Sequence, residues 1–195
     1  MIPKIEFRYS RIYDSKYRDG FEKKGEKYPS SEEILEHIRK INDFWDKENK
    51  IILKEISKVT KLKWKEKKII CYIIGKGRSF SDPLTMRIFD KIEYFRDTLI
   101  HELIHQIQMQ NDLKKWFEYV NEIYKEETKL TKNHILLDAF LSKIIERLYG
   151  KDRLKEIINS QADYPDYKRA WDIVGKEKAN KIIKKFKKIN SMEVK

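Results

Sequence analysis

Cysteine occurs once in these 195 residues, at Cys71. That excludes an internal disulfide framework and fits a reducing compartment, the cytoplasm. Glycine (six) and proline (four) are scarce, and neither an internal repeat nor a long linker interrupts the chain. No stretch approaches the roughly 18 to 20 unbroken apolar residues that a membrane span requires. The opening residues, MIPKIEFRYSRIY, lack the apolar run of a secretory signal. Arginine clusters nowhere, and lysine outnumbers it about three to one. The net charge of +12 is therefore read as a lysine-rich solvated surface, with local density in KLKWKEKK and KIIKKFKK, more than as a nucleic-acid reader. Histidine is also rare, with four in the chain, and two of them stand four residues apart.

What is present is charge and amphipathic order. Charged residues make up 39% of the chain, a bias expected of a thermophile or an AT-rich genome. At this length one substantial core is possible, split into two lobes. KIEFRYSRIY reads as extended, followed by a polar stretch with Gly20, Gly25 and Pro29. SSEEILEHIRKINDFWDKEN opens with a capping box, Ser30 to Glu33, and continues as an amphipathic helix. IILKEISKVTKL reads as another helix. KKIICYIIGKG, β-branched and stopped by glycines, reads as a strand, RSFSDP as a loop and LTMRIF as a short second strand. A long helix is expected over residues 90–110. LKKWFEYVNEIYKEETK and NHILLDAFLSKIIERLYG give two more, the latter closed by Gly150, and one or two helices complete the chain.

The helix at 90–110 carries the chemistry. In TLIHELIH, Leu99, Ile100, Leu103, Ile104 and Ile107 recur at the spacing of a helix with a buried face. Two imidazoles and a carboxylate in that frame are costly to bury unless something pairs with them. His101 and His105, four residues apart, lie on one helical face with Cβ atoms roughly 5 to 6 Å apart, so both rings can reach one ion. Glu102 points beside that ion, where it can accept a proton from a water on the metal. With four His and 19 Glu in the chain, the pattern arises by chance in about one such chain in a hundred.

At these residues the sequence resembles the zincin metallopeptidases, whose active-site helix carries the same H-E-x-x-H motif between bulky apolar residues. The order strand (KIICYII), loop, short strand (LTMRIF), helix is also similar, and in zincins such an edge strand aligns the substrate peptide. The chain is similar in size to the compact archaeal peptidases called minigluzincins. The likeness spans roughly residues 65–140. It implies an α+β fold, predominantly helical and zincin-like, with a small mixed sheet. It also implies a catalytic Zn2+ and hydrolysis of peptide or protein substrates. The expected organisation is an N-terminal lobe, residues 1–110, with the sheet and active-site helix, and a helical C-terminal lobe, residues 111–195. Together they would form one catalytic unit with its cleft along 98–105.

Two zinc ligands leave a third to be found. Gln108 and Asn111 stand where a metzincin has glycine and histidine, so that pattern is excluded. Gluzincins draw a glutamate from the next helix, and Glu118 and Glu122, with Glu126 one turn on, are available. The other route is His134, favoured because histidine is rare and because Asp138, four residues on, could take its second N–H. His37 reads as a surface or boundary residue, Cys71 as a small buried residue with zinc ligation as its alternative, and Trp171 as a packing anchor. Two rival classes stand beside the peptidase. One is a nucleic-acid-associated, SprT-like zinc protease, whose further His-Gly-x-x-Trp pattern is missing here. The other is a non-enzymatic basic module with a structural zinc, which a single cysteine disfavours.

Overall fold

In KIEFRY the inward positions are Ile5 and Phe7, with Lys4 and Arg8 outward, the period-two pattern of a strand with one buried face. This is β1 (Lys4–Tyr9) in a computed structural model whose described residues are 1–191; the end of the expected C-terminal lobe, 192–195, lies outside them. Helices hold 67% of the residues and accompany one four-stranded mixed sheet, so the architecture is α+β and predominantly helical. None of the helices among the described residues is long and apolar enough to cross a membrane.

The chain divides into two units, the first of Met1–Lys54 and Trp64–Gln110, the second of Glu55–Lys63 and the chain from Asn111 on. In the first unit β1 is followed by α1 (Arg11–Glu22) and α2 (Ser31–Thr60), which ends in the second unit. Then come β2 (Lys68–Ile74), β3 (Phe80–Ser81), β4 (Leu84–Arg87) and α3 (Ile92–Met109). Sheet order is β1-β2-β4-β3: β1 and β4 run parallel to β2, and β3 runs antiparallel to β4. The strand read as an edge, β4, is therefore internal. The edge beside it falls to the two residues of β3, inside the segment read as a loop.

The capping box forms as expected. The Ser30 amide donates to Glu33 Oε2 at 2.7 Å and the Glu33 amide to Ser30 Oγ at 3.1 Å. The helix it starts does not stop near residue 50. Ile34, Ile41, Trp45, Ile52, Leu53 and Ile56 form one continuous buried stripe, so two expected helices are a single helix of 30 residues.

α1 departs from the sequence reading, which takes residues 11–13 as extended and those after them as a polar stretch. Ser10 caps it by accepting from the Tyr13 amide. Its one buried residue is Asp14, whose carboxylate accepts from Tyr28 Oη (2.6 Å), the Gly75 amide (2.9 Å) and Tyr9 Oη (3.2 Å), with Arg18 at 3.4 Å. A buried carboxylate satisfied in this way is tolerated, and it ties α1 to the end of β2. Gly75 is needed at that point, since a Cβ there would stand 2.5 Å from Tyr28 Cε1.

In the second unit α4 (Lys114–Ile123), α5 (Lys129–Ser160), α6 (Pro165–Glu177) and α7 (Ala179–Ser191) pack around aromatic rings. Phe186 of α7 meets Trp116 of α4 at 5.7 Å and Phe140 of α5 at 5.5 Å, both edge to face. Thr128 caps α5 through the Thr131 amide, and Gly150 breaks it with φ 87°. Helical residues continue beyond that glycine, so it marks a kink where the sequence suggested an end.

Candidate metal centre

α3 is buried on nearly every side. Leu99, Ile100, Leu103, Ile104 and Ile107 are fully buried, and His101, Glu102, Gln106 and Gln108 between them are each less than a tenth exposed. An amphipathic surface helix would put those polar groups in water; here they are held inside the fold. The imidazoles of His101 and His105 meet edge to face, centroids 5.1 Å apart, as the four-residue spacing requires.

Burial pushes the Glu102 carboxyl up to about 8, against a smaller opposing pull from Arg78. Without a cation nearby the group is protonated at neutral pH, and a dication beside it favours the carboxylate. Cys71 lies on β2, fully buried, with its thiol held above its ordinary value by burial and by the proximity of Glu102. It therefore behaves as an inert core residue.

His134 sits in the second turn of α5, buried, and its Nδ1 lies 2.8 Å from the Leu130 carbonyl. A carbonyl only accepts, so Nδ1 carries the proton and Nε2 is left with a lone pair for a ligand. This corrects the expected role of Asp138, because the backbone carbonyl one turn earlier already takes that N–H. Asp138 is fully buried, no hydrogen bond reaches its carboxylate among the described residues, and burial raises its pKa well above the usual carboxylate range.

One ligand atom each from His101, His105 and His134 lies within 4.8 Å of the others. Neither glutamate alternative belongs to the group. Glu118 is exposed and pairs with Lys114 at 3.9 Å, Glu122 is exposed, and Glu126 pairs with Lys125. His37 is held by backbone instead, its ring nitrogens 3.2 Å from the Glu33 carbonyl and 3.1 Å from that of Phe89. Trp171 is buried and donates to Gln161 Oε1.

The donor set fits a borderline-soft dication. Three neutral imidazoles are a known catalytic zinc set, and tetrahedral Zn–N bonds of about 2.1 Å place nitrogens about 3.4 Å apart. One neighbouring residue escaped the sequence reading: Gln106, one turn beyond Glu102, donates from its side-chain amide to the Ser81 carbonyl of β3. Its buried amide in a core helix was the available signal. No family model, curated protein or solved structure matches this chain.

Proposed function

We propose that the protein is a zinc-dependent metallopeptidase of zincin type. The observation that carries the reading is the gathering of His101, His105 and His134 within 4.8 Å, with Glu102 buried on the same helix as the first two. These three histidines would hold the ion. A bound zinc supplies a Lewis acid that acidifies water and polarises a carbonyl. Glu102 is the general base: its carboxylate takes the proton of the attacking water and then delivers it to the leaving amine. Its burial keeps the proton from bulk water between those two transfers. Gln106 ties the short edge strand β3 to the helix that carries Glu102. An extended substrate peptide added to that edge would be held by backbone hydrogen bonds.

The test is metal stoichiometry together with turnover. Protein purified without chelator and reloaded should hold about one zinc per chain and cleave an unfolded protein substrate. Absence of stoichiometric metal after reloading would sink the reading.

A further inference from the structure

A second site lies within the second unit, and the argument for it does not rest on the metal centre. α7 carries Lys181, Lys184, Lys185, Lys187 and Lys188 and no acidic residue. It is the KIIKKFKK stretch that the sequence suggested was solvated surface. Lys181, Lys184, Lys185 and Lys188 are indeed exposed, and part of the stretch also walls a cavity of about 350 Å³, lined by Trp116, Tyr119 and Tyr124 together with Lys176, Lys181 and Lys185. The volume is within the range of small-ligand sites. Glu177 is the one acidic lining residue among the described residues, and it already accepts from Tyr124 Oη at 2.7 Å. Three lysines thus line the cavity beside one carboxylate that is already engaged. Lys185 Nζ stands 5.0 Å from the centroid of the Tyr119 ring, so a cation and a ring face share one wall. Trp116 stacks obliquely on Tyr119 at 5.5 Å, and its buried indole N–H has no hydrogen-bond partner among the described residues.

Aromatic rings and lysines in one cavity ask for a ligand that is planar at one end and anionic at the other. A purely acidic peptide would use the lysines and leave the rings without a role. A lipid headgroup would use them no better. We infer that this cavity binds a nucleotide, with the base against Tyr119 and Tyr124 and the phosphate on Lys181 and Lys185. A strand of single-stranded nucleic acid and a free nucleotide offer the same chemistry. Recognition of this kind needs stacking and positive charge without base-specific arginines, so it is compatible with their dispersal along the chain.

The test is fluorescence anisotropy of a labelled dT12 oligonucleotide with the full chain in low salt, with and without zinc. Binding should weaken about tenfold in Lys181→Ala/Lys185→Ala. The slope of log affinity against log salt should shrink by about 1.4, for two phosphate contacts at about 0.7 each. Tyr119→Leu should weaken binding about fivefold or more with the slope unchanged, because it removes stacking and no charge. Lys151→Ala/Lys155→Ala, an equal charge loss on exposed α5, should bind as the parent does. Competition by thymidine monophosphate at equal nucleotide concentration assigns the site to free nucleotides; competition by oligomers alone assigns it to a strand. The inference is overturned if dT12 does not bind, if the α5 pair loses as much affinity as the α7 pair, or if poly-glutamate or phosphatidylserine vesicles compete as well as dT12 does.

Discussion

α3 and α4 each put candidate metal ligands into the sequence, and the fold treats them in opposite ways. α4 is an ordinary amphipathic helix: Trp116 and Val120 are buried, while Glu118 and Glu122 face water. α3 keeps His101, Glu102 and Gln106 inside although nothing in their apolar spacing requires it. Desolvating an imidazole or a carboxyl costs free energy, and a fold that bears this cost in one helix and avoids it in the next singles out the first as the candidate site. A polar residue's type is thus a weaker guide to function than whether the fold bothers to bury it.

The largest effect that sharpens this contrast is on turnover. Glu102→Gln should retain zinc and the fold while hydrolysis falls by about 10²- to 10⁴-fold, since an amide cannot take the proton. Zinc loss in this variant, or turnover near that of the parent, would break the assignment of Glu102 as base. Next comes metal affinity. His101→Ala, His105→Ala and His134→Ala should each weaken zinc binding by at least about 100-fold in competition with a chelator, because two imidazoles make a poor site. Near-normal affinity in His134→Ala would remove α5 from the centre.

A smaller effect concerns pH. In the metal-free fold the Glu102 carboxyl titrates near 8, against 4.5 as the ordinary value. Between those values the folded state holds a proton that the unfolded chain has released, so stability falls as pH rises through that window. Asp138 acts in the same direction. Urea unfolding of metal-free protein at pH 5 and pH 8.5 should show the loss, and Glu102→Gln should make it shallower. Identical pH profiles for parent and variant would mean that Glu102 is not the buried acid described above.

Much of this was readable from local signals, and the failures share a cause. The capping box at Ser30 and Glu33, the strand KIICYII and the helix around His101 each depend on residues a few positions apart. α1 was missed because what holds it is Asp14 reaching Tyr28 and Gly75, partners 14 and 61 positions away. LTMRIF was read as an edge because the two residues that flank it, Phe80 and Ser81, are too few to leave a pattern. Spacing alone points the His134 N–H to Asp138, four residues later, yet the Leu130 carbonyl, four residues earlier, is backbone and needs no rotamer to reach it. His134 itself could be named from its rarity, but its approach to His101 and His105 depends on the tertiary fold, which spacing does not encode.

The smallest expected effect is also the sharpest test of the comparison, because it is a predicted silence. Glu118 and Glu122 stand on the helix where the gluzincin pattern would look for its ligand. Glu118 is largely in water, with 63% of its side chain exposed and a long 3.9 Å contact to Lys114. Such a pair contributes little to stability and is weakened further by salt. Glu118→Ala and Glu122→Ala should therefore leave zinc affinity within about twofold of the parent, a difference of roughly 0.4 kcal/mol. The melting temperature should also be unchanged. The two variants belong in the same chelator competition as the histidine series, since only the ratio between the sets is informative. A collapse of affinity in Glu122→Ala would mean that α4 turns this face inward when metal is bound. The contrast between a helix that buries its ligands and one that exposes them would then hold for the metal-free protein alone.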